Sequence, residues 1–241
     1  MSIITLQNTL GQLVTERPDR SRVFERRGLD YCCGGKKTLE AACEENGIDL
    51  KEIMNELREN DTSRSEPETD WMAAPLGELA DHIVEAHHGY LREALPRLTL
   101  LTEKVRDAHG QRHPELVALA TTFAAFRIEL EAHMLKEEQV LFPLIKRIET
   151  EETLPAFHCS SLNNPIHMME SEHEDAGKAL ATMRSLTQDF TPPPDACNTY
   201  RALLDGLGEL ESDMHRHVHK ENSILFPRAS KREAKRIAHL Q

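Results

Sequence analysis

One string occurs twice in this chain. His133-Met-Leu-Lys-Glu137-Glu-Gln-Val-Leu-Phe-Pro143 returns 84 residues later as His217-Val-His-Lys-Glu221-Asn-Ser-Ile-Leu-Phe-Pro227, so both copies read HxxKExxxLFP. Each copy follows a segment with its own histidine: His88 lies 45 residues before His133, and His173 lies 44 before His217. Matched residues at matched spacing predict a duplicated helical hairpin, and hence four helices. Duplication that preserved packing alone would explain the LFP ends. It does not explain the polar residues between them.

The apolar stripes make this plain. Stepping by three and four, helix one runs Leu76, Ala80, Val84, His88, Leu91, Leu95, Leu98. Helix two runs Leu116, Leu119, Phe123, Phe126, Leu130, His133, Glu137, Val140, Leu144. Helix three runs Ile166, Met169, His173, Ala176, Leu180, Met183, and helix four Leu203, Leu207, Leu210, Met214, His217, Glu221, Ile224. Each stripe is apolar except for one histidine or one His–Glu pair. If the stripes face one another, four histidines and two glutamates meet in a core. A buried carboxylate without a partner is costly and shifts its pKa until it neutralises. Six such groups need a common partner, and a metal supplies one.

The spacing suits that reading. Residues i and i+4 share a helix face with Cβ atoms about 5–6 Å apart, so His133 and Glu137 reach the same metal or adjacent ones. Six ligands exceed the four of a structural zinc site. Two metals fit better, with the glutamates bridging. Mixed imidazole and carboxylate ligation suits iron and leaves zinc and manganese open. A rival set exists: Glu85–His88 and Glu170–His173 are both Glu-x-x-His, the ferritin-like spacing. It would leave His133 and His217 unused on the stripe, so four His and two Glu are preferred, with Glu170 and Glu172 as outer partners. His88 is preferred to His87 because Leu91, Leu95 and Leu98 continue its face. The remaining histidines, among them His82, His109, His113, His158, His167, His215, His219 and His239, lie off the stripes or in breaks and receive no role.

Composition removes several classes. The net charge of −12 argues against generic phosphate-backbone binding, and the closing Lys231–Arg236 run reads as a solvated helix end. The most apolar stretch, Leu116–Phe126, is far shorter than the roughly 20 residues of a membrane span. No signal peptide is visible, and the expected location is cytoplasmic. The chain divides into 1–60, with short helical patterns broken by Pro18, Gly28, Gly34, Gly35 and Gly47; a polar linker over 61–68; and a long helical region over 69–241. The fold class expected is all-α: a small helical amino-terminal domain plus an up-down four-helix bundle.

Five cysteines are too scattered for a disulfide framework. Asp30-Tyr31-Cys32-Cys33-Gly34-Gly35 places two thiols on a tight turn, after a C-capping Gly28 and before Thr38, the expected N-cap of a helix over Leu39–Asn46. Glycines permit close backbone approach. Thiolates beside a helix N-terminus would have a lowered pKa and be reactive or metal-binding. Two thiols do not complete a metal site by themselves.

At these residues the chain resembles a known family. The carboxyl-terminal part is similar to a hemerythrin-like di-iron bundle, and the whole resembles the Repair of Iron Centres family, the YtfE/ScdA type. The strings that carry the resemblance are DYCCGGKKTL at 30–39, HMLKEEQVLFPLI at 133–145, MMESEHEDAG at 168–177, TPPPDAC at 191–197 and HKENSILFPRA at 219–229. The resemblance places iron ligands on His88, His133, Glu137, His173, His217 and Glu221, and the family's paired cysteines on Cys32 and Cys33. It implies two non-haem irons, expected as an oxo-bridged di-iron centre, and repair of iron–sulfur clusters damaged by nitrosative or oxidative stress through iron donation. Cys32 and Cys33 are then candidates for iron transfer. Expected partners are damaged iron–sulfur proteins, nitric oxide or dioxygen as small ligands, and an electron donor, with no nucleic acid and no membrane; homodimerisation is left open. An enzymatic alternative is reduction of nitric oxide to nitrous oxide, and a third is reversible binding of either gas.

Overall fold

The computed structural model describes residues 4–62, 69–151 and 161–239. Among them the chain forms eight helices and no β-strand. The amino-terminal part holds α1 (Leu10–Glu16), α2 (Ser21–Arg26), α3 (Leu39–Asn46) and α4 (Leu50–Thr62). Thr9 opens α1 with a capping box closed by Gln12, which satisfies two of the unpaired amides of the first turn. Thr38 caps α3 by accepting from the Ala41 N–H at 3.2 Å, and Gly47 ends it at φ 66°. Thr9 and Thr38 pair in an isolated antiparallel bridge, so α1 and α3 start side by side.

Residues 61–62, expected in the linker, instead finish α4. The reason is Arg20, whose side chain is fully buried. Its Nε and Nη2 donate to the two Asp61 oxygens at 3.0 and 2.7 Å, and Nη1 donates to the Leu13 carbonyl at 3.1 Å. A buried guanidinium needs a paired carboxylate, and holding Asp61 there keeps the last turn helical. The rest of the expected linker, 63–68, lies outside the described residues, as do His158 and Cys159.

Four long helices follow. Helix α5 spans 76–109, α6 spans 115–150, α7 is Asn163–Leu186 and α8 spans 198–239. Helix α5 packs against α6 and α8, and α6 packs against α7, the neighbour order of an up-down bundle. Three of the four contain a wide π turn: Ile83–His88 in α5, Glu137–Leu141 in α6 and Lys220–Leu225 in α8. The last two sit just before Pro143 and Pro227. A proline inside a helix lacks an N–H and crowds the carbonyl four residues earlier, and a π turn is one way to keep the helix going.

The π turn in α6 overturns part of the expected stripe. One extra residue per turn rotates everything beyond it, so Val140 is 51 % exposed while Leu141, Phe142, Ile145 and Ile148 are buried. The closing basic run is also not merely solvated. Glu233 within it is buried, accepting from the Leu162 N–H at 2.9 Å and the Ser161 hydroxyl at 3.0 Å, and Arg236 donates to the Ile148 carbonyl at 2.6 Å.

Two apolar cores result. One joins Leu10, Leu13, Val23, Phe24, Leu39, Ile53 and Leu57 of the amino-terminal helices to Leu91, Leu95, Phe123, Leu207 and Leu210 of the bundle. The other, near the LFP ends, holds Leu79, Ile83, Phe142, Ile145, Ile166, Met169, Leu225 and Phe226. Along each stripe the buried histidines and glutamates fall between residues of the two cores. No helix among the described residues is long and apolar enough to cross a membrane.

Candidate metal centre

The structure brings together all six stripe residues. His88, His217, Glu137 and Glu221 offer ligand atoms that all lie within 4.8 Å of one another, and so do His133, His173, Glu137 and Glu221. The two glutamates belong to both groups. Glu137 turns Oε2 to His88 Nε2 at 3.3 Å and Oε1 to His133 Nε2 at 3.1 Å. Glu221 turns Oε1 to His217 Nε2 at 3.1 Å and Oε2 to His173 Nε2 at 3.0 Å. Each carboxylate therefore spans two histidine pairs. All four rings direct Nε2 inward: His88 and His217 stand 3.3 Å apart at those atoms, His133 and His173 3.0 Å.

The fit to cations is tested by the carboxylates. Both oxygens of Glu137 and Oε2 of Glu221 are buried without a hydrogen-bond partner, although the histidines lie at ion-pair distance. Unpaired carboxylate oxygens in an interior are expensive. A pair of cations between them, each with two imidazoles and one oxygen from each glutamate, would satisfy every one.

Electrostatics favour the charged forms despite burial. Burial pulls the His133 imidazole down, but the charge of Glu137, with Glu221 and Glu172 beyond, brings it up to about 9. His88 is raised for the same reasons. Burial and the Glu221 charge push the Glu137 carboxyl up, yet His133 and His88 hold it below the usual carboxylate range. Burial raises Glu221 too, and His217 and His173 take it well below.

Three of the four outer nitrogens have their own partners. His88 Nδ1 donates to Glu138 Oε1 at 2.7 Å, His133 Nδ1 to Glu172 Oε2 at 2.8 Å, and His173 Nδ1 to Asn222 Oδ1 at 2.9 Å. With Nε2 turned inward, Nδ1 carries the proton. Glu138 and Asn222 occupy the same position in the two copies of the repeat, one residue after the bridging glutamate. That shared position is readable in the repeat, although it lies off the apolar stripe. Glu172 does serve as an outer partner. Glu170 does not: it pairs with Lys36 at 3.0 Å. Glu85 is exposed, so the Glu-x-x-His set does not converge. The LFP phenylalanines cover the site, Phe142 stacking on His88 at 6.0 Å and Phe226 on His173 at 6.1 Å.

His87, passed over in favour of His88, is buried as well. Its Nδ1 meets Asp213 Oδ1 at 2.9 Å and its Nε2 meets Lys220 Nζ at 2.8 Å, and burial, against the Asp213 hydrogen bond, brings it down to about 4. His109 and His219 are buried as well. His219, brought down to about 4 by burial, sits edge-on to Tyr31 at 5.6 Å.

The amino-terminal segment delivers its cysteine turn to this site. Gly35 passes so close to Tyr31 that an added Cβ would fall 2.5 Å from its carbonyl oxygen, and the Gly11 N–H donates to Gly35 at 2.9 Å. Cys33 Sγ lies 3.4 Å from the His173 carbonyl, and Asn222 Nδ2 donates to the Cys32 carbonyl at 3.3 Å. For Cys32 the expectation of a low-pKa thiolate is corrected. Helix α3 begins only at Leu39, past the cysteine turn. The hydrogen bond that the Cys32 thiol donates to Cys33 Sγ at 3.8 Å, burial, and the Asp30 charge push the Cys32 thiol well up. Asp30, Cys32 and Cys33 form a smaller group of donors within 4.8 Å of one another, beside an open groove of about 960 Å³ also lined by Glu170, Glu174 and Asn222.

Comparison with known proteins agrees with this layout. Residues 79–229 match the hemerythrin HHE cation binding domain, and residues 6–61 match ScdA_N, a domain of unknown function. The chain is 39% identical over 220 residues to the iron-sulfur cluster repair protein YtfE of Citrobacter koseri, covering 91% of this chain and 95% of that one. It is 39% identical over 230 residues to the protein of the same name from Musicola paradisiaca, covering 95% and 98%. With a cation-binding bundle behind a cysteine turn, and similarity over nearly its whole length, the chain belongs to the YtfE family of hemerythrin-like proteins.

Proposed function

We propose that this protein repairs damaged iron–sulfur clusters, holding two non-haem irons on His88, His133, Glu137, His173, His217 and Glu221 as the source of iron. The observation that carries the reading is the pair of glutamates, each giving one oxygen to each of two histidine pairs. The names of the relatives support the repair role. When bound, the metals supply a redox-active charge in an apolar interior, and any bridging oxygen between them belongs to this proposal. The chain's own residues do the rest. Glu137 and Glu221 fix the spacing of the two positions, the four imidazoles close their ends, and Phe142 and Phe226 keep that side dry.

Cys32 and Cys33 are proposed to pass iron towards the recipient. They stand beside His173 and open onto the groove, which offers a recipient a place to dock. In this reading 1–60 is the delivering domain and 69–241 the storing one. The test has two parts. Protein loaded with iron-57 should carry about two coupled irons per chain by Mössbauer spectroscopy, and lose them in His133→Ala. A Cys32→Ala/Cys33→Ala variant should keep that spectrum and fail to reactivate a cluster-containing dehydratase inactivated by nitric oxide. Normal reactivation would overturn the transfer role. Repeated turnover of nitric oxide to nitrous oxide with a reductant, and no reactivation, would move the site to gas reduction.

A further inference from the structure

The repeat relates the two halves of the centre, and one position breaks the relation. His88 corresponds to His173, His133 to His217, and Glu138 to Asn222. In one half, His133 Nδ1 donates to Glu172, the residue just before His173. The corresponding residue before His88 is His87. Its ring lies parallel to His217, centroids 5.4 Å apart and planes 4° apart, so it stacks on that ligand rather than accepting from it. His217 Nδ1 is the one outer nitrogen of the four ligand histidines left buried without a partner.

A second orphan lies on the same helix face. Asp213, one turn before His217 on α8, is buried, and its Oδ2 has no partner. Its other oxygen is held. Lys220 is a donor only, so His87 Nε2 accepts from it at 2.8 Å, and His87 Nδ1–H must donate to Asp213 Oδ1 at 2.9 Å. Lys220, His87 and Asp213 thus form a directed hydrogen-bond chain that ends on an unused carboxylate oxygen. Residues four apart on a helix are neighbours. A ligating imidazole almost always donates its outer N–H to a carboxylate, carbonyl or water.

We propose that Asp213 is the positioning residue for His217, accepting its Nδ1–H through Oδ2 while the Lys220–His87 chain fixes the carboxylate. That pairing would satisfy both orphans. Glu172 does this directly for His133; in the other half the duty has moved to a residue on the ligand's own helix, with His87 as its brace. The inference rests on the metal reading of the six-residue site.

The test uses the full chain and cobalt(II) as a spectroscopic probe, titrated against a competing chelator in wild type, Asp213→Asn, Asp213→Ala and Asp205→Asn, an exposed control on the same helix. Asp213→Asn should weaken one of two cobalt positions by about 10–100-fold, at least as much as Asp213→Ala. Its carbonyl would serve His87 and its amide would point a donor at another donor. The metal-free melting temperature should stay within a few degrees of wild type, and the control should bind like wild type. In zinc-loaded protein, nitrogen-15 spectra should show a protected ring N–H signal from each of the four ligand histidines, of which Asp213→Asn loses only that of His217. Unchanged affinities and four intact signals in a wild type that binds two metals would overturn the inference and leave the metal reading standing. Equal loss at both positions with a fallen melting temperature would assign Asp213 to folding and overturn it too. A wild type that binds no cobalt would overturn both.

Discussion

Asn222 ties the cysteine turn to the histidine cluster. Its side-chain oxygen accepts from His173 at 2.9 Å, and its nitrogen donates to the Cys32 carbonyl at 3.3 Å. One amide, whose acceptor and donor ends differ, therefore reads both a ligand and the backbone of the turn. Asn222→Asp should keep the acceptor for His173 and lose the donor to Cys32. The expected result is near-normal metal retention with faster amide hydrogen exchange at residues 32–35. Asn222→Ala should show the faster exchange and also release metal about 10–100-fold more readily. Equal behaviour of the two variants would refute the split role.

Glu137 and Glu221 each face both histidine pairs, so in the proposed two-metal centre neither position is independent of either glutamate. Glu137→Ala should lower occupancy at both positions rather than at one, because each position draws on one of its two oxygens. Metal content after gel filtration, against a His88→Ala variant expected to lose chiefly its own position, checks this. Loss of a single metal from Glu137→Ala would mean that the carboxylate does not bridge.

Removing Asp61 leaves Arg20 as a buried cation with most of its pairing gone. Breaking a buried pair in this way costs about 3–5 kcal/mol. Asp61→Ala should therefore destabilise the chain by that order in urea unfolding. A change under about 1 kcal/mol would show that Glu16 and the Leu13 carbonyl suffice to hold the guanidinium.

The π turn in α6 makes a sharp prediction about two adjacent residues. Val140 is 51 % exposed and Leu141 is 1 % exposed. Leu141→Ala should cost about 2–5 kcal/mol, whereas Val140→Ala should fall within about 0.5 kcal/mol of wild type. An unbroken α-helix would reverse the order, so thermal unfolding of the pair decides the register.

Far from the histidine cluster, His113 reaches Asp195 at 3.0 Å and Glu115 at 3.1 Å. Burial pulls its imidazole down, but the hydrogen bonds and charges of those carboxylates outweigh it, so the folded value is raised above 6.5. A raised histidine gives stability that is fully present below the unfolded pKa and fades as pH rises through the folded one. The gain should thus shrink above about pH 6.5. Asp195→Asn should move the His113 ring titration, followed by NMR, back down; a midpoint that does not fall would refute the pairing.

Much of the molecule was legible in the chain. The repeat and the 3.6-residue period determine four long helices with His88, His133, Glu137, His173, His217 and Glu221 on their inward faces, because a side chain's face follows from its position along a helix. Thr38 and Gly28 mark helix ends through local backbone chemistry that needs no neighbour. Tertiary structure decided the rest. Helical period fixes which residues share a face, not which oxygen of Glu137 meets which histidine, nor that Glu138, Glu172 and Asn222 take the outer nitrogens. Those pairings depend on how helices far apart in sequence cross. The π turns rotate the register beyond Glu137, so Val140 leaves the core where a regular period keeps it in. The state of Cys32 was likewise settled by its surroundings. The string DYCCGG permits a reactive thiolate or a buried thiol, and the packing of Asp30 and Cys33 against Cys32 favours the thiol.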